Sequence, residues 1–217
     1  DWKVYDRIES KQRIDFTLTV PSFFNNGDTL SIQLTGFQNT IDSSCVRVFV
    51  NKKQIHKLIE DFPLGLGGMN HPDTAFVADF NGDGLNDIKF YVPNHGCGAF
   101  NYYAHVFYLF QKPNRTFTKI SFTDLFLEFN YRKERDIDGD GNYEIITQTF
   151  QNVANHNYWV FNIYKYVDNK LINVNFLDDY PIMVQLLYRE NYDITNKISR
   201  NKMKEFARKL PDDYDKK

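Results

Sequence analysis

The sequence predicts a mainly β protein, and three observations carry that prediction. Aromatic residues make up 17% of the chain, with 20 Phe and 14 Tyr, and such side chains suit the pleated, half-buried surface of a sheet. Apolar and polar residues alternate over several short runs, the period of a strand. Asn, Asp, Gly and Pro punctuate those runs at short intervals, as turns between strands require. The expected architecture is a set of repeated hairpins forming an open or partial β-propeller-like arrangement or a sandwich, with a short C-terminal helix.

The elements follow in order. Residues 14–35 read as a hairpin, with IDFTLTV and TLSIQLT alternating on either side of the turn residues NNGD. Val46 to Ile59 repeats the pattern of strand, polar turn, strand, and so do residues 102–120 and 157–174. A Gly-rich stretch from Leu64 to Met69 separates the first part from the rest, and it lacks the lysine and helix of a phosphate-binding loop. Ser199 is placed to cap a helix carrying Met203, Phe206 and Leu210 on one face and ending at Pro211. The expected divisions are an N-terminal β segment over 1–63, two acidic-loop β units over 70–178 continuous with it, and a helix and tail over 179–217.

Charge and length narrow the classes of function. With 26 Lys+Arg against 28 Asp+Glu the net charge is −2, so there is no basic field to attract a phosphate backbone, and nucleic acid is not an expected partner. No apolar run approaches the roughly 20 residues that span a bilayer, so no transmembrane segment is expected. The opening residues are polar, and any export signal is expected to have been removed. Cys45 and Cys97 are the only cysteines. They form no zinc or CxxC pattern, and a disulfide of an exported protein is preferred over two separate buried thiols.

Two segments carry the chemistry. Asp79-Phe-Asn81-Gly-Asp83-Gly-Leu85-Asn-Asp87 and Asp136-Ile-Asp138-Gly-Asp140-Gly-Asn142-Tyr-Glu144 share the pattern D-x-[DN]-x-D-G-x-x-[DE]. Asp136 follows Asp79 by 57 residues (136 − 79), a blade-like interval. Side chains at alternate positions converge only if the chain turns sharply at the sixth, where Gly84 and Gly141 stand. Leu85 and Asn142 then offer backbone carbonyls, and Asp87 and Glu144 close each set. Oxygen donors in this number suit calcium, so two calcium ions are expected. An EF-hand would place Glu at the twelfth position and continue as a helix, whereas Phe90 and Thr147 stand there and β-type runs follow.

DFNGDGLND and DIDGDGNYE resemble the calcium loops of FG-GAP or VCBS-type β-repeats, found in the integrin α propeller and in many bacterial surface proteins. The resemblance spans about residues 75–175 and assigns Asp79, Asn81, Asp83, Leu85 and Asp87, with Asp136, Asp138, Asp140, Asn142 and Glu144, as metal-binding positions. FNGDGLND, NHGCGAFNYY and VFYLFQKPN are also similar, in their order, to segments of small periplasmic calcium-binding proteins. Those proteins are related to the invertebrate-type lysozyme inhibitors and to immunity proteins against peptidoglycan hydrolases. This second resemblance implies an extracellular or periplasmic location and a secreted hydrolase as partner.

No Gly-x-Ser-x-Gly or His-Glu-x-x-His pattern is present, and the expected protein is not an enzyme. Two kinds of binding are expected. One is inhibition of a hydrolase through a loop that includes His95, Gly96, Phe100 and Tyr102. The other is binding to a surface glycan, as an adhesion module, with Tyr102, Tyr103, Tyr158 and Trp159 stacking on sugar rings. Successive strand residues face opposite ways, so only half of those rings can be exposed.

Overall fold

The computed structural model describes residues 13–37, 40–62, 75–94, 103–125, 132–186 and 198–215. Three four-stranded antiparallel sheets and one short helix make up these residues, so the fold is mainly β as the sequence predicts. Two compact units are present, Asp1–His71 and Pro72–Lys216.

The first unit is a meander of β1 (Arg13–Val20), β2 (Leu30–Phe37), β3 (Thr40–Val50) and β4 (Lys53–Ile59). Its register sets Phe16 opposite Leu34, Leu18 opposite Ile32 and Val20 opposite Leu30, so the alternating apolar residues share one face. Leu30, Ile32, Leu34, Val46 and Val48 are fully buried. Asn51 and Lys52 link β3 to β4 with φ of 46° and 71°, the left-handed pair of a tight hairpin turn. The β1–β2 connection carries Phe23 and Phe24 into the interior. Cys45 is a buried free thiol of β3, and Cys97, its expected disulfide partner, lies outside the described residues.

The second unit holds two sheets. One is β5 (Ala75–Ala78), β6 (Asp87–Asn94), β7 (Tyr103–Gln111) and β8 (Phe117–Leu125), in that order. The other is built on the long β10 (His156–Val167), with β9 (Ile145–Val153) along one edge. On its other edge lie β11 (Lys170–Asn173) and, further along, β12 (Ile182–Gln185). Each acidic loop feeds the strand that starts its hairpin, β6 in one case and β9 in the other.

These two sheets pack opposite faces of the same repeated pattern. Ile88 pairs with Leu109 just after the first loop, and Ile145 pairs with Tyr164 just after the second, which aligns Leu109 with Tyr164 and Phe110 with Lys165. The shared core takes Tyr91, Val106, Tyr108 and Phe110 from the first sheet, but Ile145, Tyr164 and Tyr166 from the second. Ile88 and Leu109 are buried and are not part of that core. The front of one sheet therefore meets the back of the next, as in successive propeller blades. Phe110 and Tyr166 stack across the junction with ring centroids 3.6 Å apart.

Polar groups also cross this junction. Lys89 Nζ lies 2.5 Å from Glu134 Oε1, which also accepts from Tyr108 Oη at 2.5 Å. Arg132 pairs with Asp124 and Gln148, and Asp124 Oδ1 accepts the Gln148 amide of β9 at 2.8 Å.

The C-terminal helix, α1, spans Arg200–Lys204, and Ser199 caps it by accepting from the Lys202 amide. It is shorter than its apolar face predicts. Asn162 of β10 donates to the Phe206 carbonyl and accepts from the Arg208 amide, while the Arg208 carbonyl accepts from Tyr164 Oη and Asn173 Nδ2. Sheet side chains thus take the backbone groups that a longer helix would pair internally. Ile198, Met203 and Phe206 still pack on Tyr158, Val160 and Met183.

Candidate metal centre

Both acidic loops fold into one hydrogen-bond ladder. The first-position carboxylate accepts the amide of the sixth residue: Gly84 to Asp79 at 2.8 Å, and Gly141 to Asp136 at 3.1 Å. The third position accepts from the fifth, Asp83 to Asn81 and Asp140 to Asp138. The fifth accepts from the seventh, Leu85 to Asp83 and Asn142 to Asp140, each at 2.9 Å. The ninth reaches back to the second, with Phe80 donating to Asp87 and Ile137 to Glu144.

The ladder turns on glycines at two positions. Gly84 and Gly141 have φ of 82° and 85°, the sharp turn the motif predicts, and Gly82 and Gly139 have 74° and 76°. The fourth-position requirement is a feature that the sequence reading misses. The loops also touch: the Tyr143 amide donates to the Phe80 carbonyl at 2.9 Å.

Burial divides each loop into an exposed lip and a sealed floor. Asp83, Asp136, Asp138 and Asp140 are exposed, and Asp79 and Asn81 are half-buried. Asp87 and Glu144 are fully buried. Asp87 also accepts the Gln111 amide of β7 at 2.8 Å. Burial nevertheless pushes its carboxyl up to about 7, against the pull of the Gln111 and Phe80 amides, and the charges of Asp83 and Asp79 push the same way.

The second loop differs in its charge balance. Lys165, on β10, sets its ammonium 2.7 Å from Asp138 Oδ2 and 2.9 Å from both Asp140 Oδ2 and Glu144 Oε1. A hydrogen bond from Lys165 holds the Asp140 carboxyl below its ordinary value. Carboxylate oxygens of Asp136, Asp138 and Glu144 come within 4.8 Å of one another, close enough to hold a metal ion. In the first loop the Asn81 amide bonds Asp83 Oδ2 at 3.1 Å instead.

The donors fit calcium in kind. They are oxygens only, of carboxylates, an amide and backbone carbonyls. Asp79, Asn81, Asp83, the Leu85 carbonyl and Asp87 would hold one ion. Asp136, Asp138, Asp140, the Asn142 carbonyl and Glu144 would hold the other.

Sequence reasoning also misses Lys165. Its signal is a lysine inside the apolar run WVFNIYKYV, where a buried charge requires partners. Of the expected recognition residues, His95, Gly96, Phe100 and Tyr102 lie outside the described residues. Tyr158 is 2% exposed and faces the helix, whereas Trp159 is half-buried on the opposite face with Phe150 edge-on at 5.6 Å. No helix among the described residues is long and apolar enough to cross a membrane. No known family's sequence model matches the chain, and no curated protein matches it.

Proposed function

We propose that this chain is a non-catalytic calcium-binding protein of the extracellular or periplasmic space, whose metal loops brace a surface that binds a partner. The observation that carries this reading is the matched ladder. Two loops of different sequence use the same four backbone-to-side-chain bonds to aim hard oxygen donors inward, each floored by a buried carboxylate. A turn needs no such floor, because an ionised carboxylate sealed from water is costly unless a cation or strong donors offset it.

Beside the loops a cavity of about 720 Å³ is lined by Phe76, Phe80, Tyr143, Lys133 and Glu134, with Val77 of the edge strand β5. Its aromatic walls, beside a strand that is at the sheet edge among the described residues, suit an extended protein segment. The resemblance to inhibitors and immunity proteins makes a secreted peptidoglycan hydrolase the partner to test first. The second reading, a glycan-binding adhesion module, draws on the half-exposed Trp159 and Phe150 pair.

Calorimetry with calcium and with magnesium, on protein stripped of metal, tests the reading. Calcium should release or take up heat and raise the melting temperature, with Asp83→Ala removing one site and Asp140→Ala the other. Absence of both heat and a thermal shift at millimolar calcium would sink it.

A further inference from the structure

We propose that Lys165 is the built-in cation of the second acidic loop, so that calcium fills the Asp79–Asp87 loop first and enters the Asp136–Glu144 loop only by displacing the Lys165 ammonium. The inference rests on reading both loops as calcium sites, and it assigns them unequal affinities.

The geometry is specific. In Asp138, Asp140 and Glu144 one carboxylate oxygen serves the backbone ladder and the other faces Lys165 Nζ, at 2.7, 2.9 and 2.9 Å. Those second oxygens, at the third, fifth and ninth positions, are the ones a calcium ion would draw to about 2.3–2.6 Å. Ammonium and metal therefore compete for one point of convergence, and their mutual repulsion forbids sharing it.

Lys165 is held in place as well as paired. It is 7% exposed on a central strand, and Glu144, fully buried, turns Oε1 toward it at 2.9 Å. Its flexible four-carbon stem lets the ammonium swing toward the exposed lip formed by Asp138 and Asp140 when a stronger cation arrives. Among the described residues the first loop has no such device at this position, because the aligned residue is Phe110, buried in the core between the sheets. A lysine at this point also explains why the second loop's carboxylates gather while Asn81 and Asp83 of the first bond each other.

The test compares calcium binding by the full chain, its Lys165→Met variant, and the same pair carrying Asp83→Ala to isolate the second loop. In the parent, one tight site should vanish with Asp83→Ala, leaving a weaker one. Lys165→Met should tighten that remaining site at least tenfold and leave the first unchanged. If Lys165→Met does not change or weakens the second site, the proposal is overturned while the calcium reading stands. If neither loop of parent or variant binds calcium, both fall.

Amine acylation followed by peptide mass mapping of the unsubstituted chain gives a second readout that needs no variant. Lys165 should resist the reagent without calcium and while the first loop fills, then react as the second loop fills. Equal reactivity at every calcium concentration would overturn the proposal.

Discussion

Gly82 lies against Gly141, so closely that a methyl group added to Gly82 would come within 2.6 Å of the Gly141 carbonyl oxygen. The two acidic loops are thus locked backbone to backbone, at a point where φ of 74° already excludes most side chains. Gly82→Ala should cost well over about 1 kcal/mol, from left-handed strain and collision together. Gly139→Ala is the control, because its φ is 76° and nothing lies within 4 Å of the added carbon. Denaturant melts should show Gly82→Ala as the more damaging, and calcium titration should show it weakening both loops.

Asp87 gives the metal-free chain a pH dependence of defined sign. Its carboxyl titrates at about 7 when folded and near about 4 when unfolded. The folded state therefore keeps a proton that the unfolded state releases. This contribution to stability is fully present below about 4 and is lost as pH rises to about 7. Metal-free protein should lose stability over that window relative to Asp87→Asn, and calcium should bind more tightly above it than below. Melts of the two proteins across the window, with and without calcium, check both signs.

The buried Lys89–Glu134 pair should be far more sensitive to half-removal than to replacement. Burial pulls the Lys89 ammonium down from its ordinary value while Glu134 pulls it back up. Lys89→Met strands the carboxylate and should cost about 3–5 kcal/mol, and the double change Lys89→Met with Glu134→Gln should recover much of it. Tyr108→Phe, which removes the donor 2.5 Å from the same oxygen, should cost about 1–3 kcal/mol. A double-mutant cycle by urea unfolding measures each.

Tyr158 and Trp159, adjacent on β10, should part company under substitution. Tyr158→Ala opens the packing beneath the helix and should cost about 3–5 kcal/mol. Trp159→Ala should cost less, since that ring is half-buried. If Trp159 contacts a glycan, its loss should abolish binding to an array while the melting temperature falls only modestly.

The strands and both loops were legible because their signals are local. Alternation placed β1 and β2, and Gly84 and Gly141 stood where the motif requires positive φ. What sequence could not supply depends on contacts between distant segments. The helix stops at Lys204 because Asn162, far back in the chain, takes the backbone groups after it. Lys165 reads as one charge in an apolar strand until the fold brings Asp138, Asp140 and Glu144 around it. The face-to-back packing of the sheets is equally silent in the sequence, since β7 is buried along both of its faces.

That packing has a direction. A front-to-back contact is heterologous, and a series built on it either closes into a ring or ends in an unmatched face. On the second sheet the face aligned with Phe110 and Tyr108 of the first carries Lys165 and Ile163. An ammonium bound into its own acidic loop stands where the first sheet offers an aromatic ring to its neighbour. The repeat therefore changes chemistry at this position, from a ring stacked on Tyr166 to a charge paired with Asp138, Asp140 and Glu144.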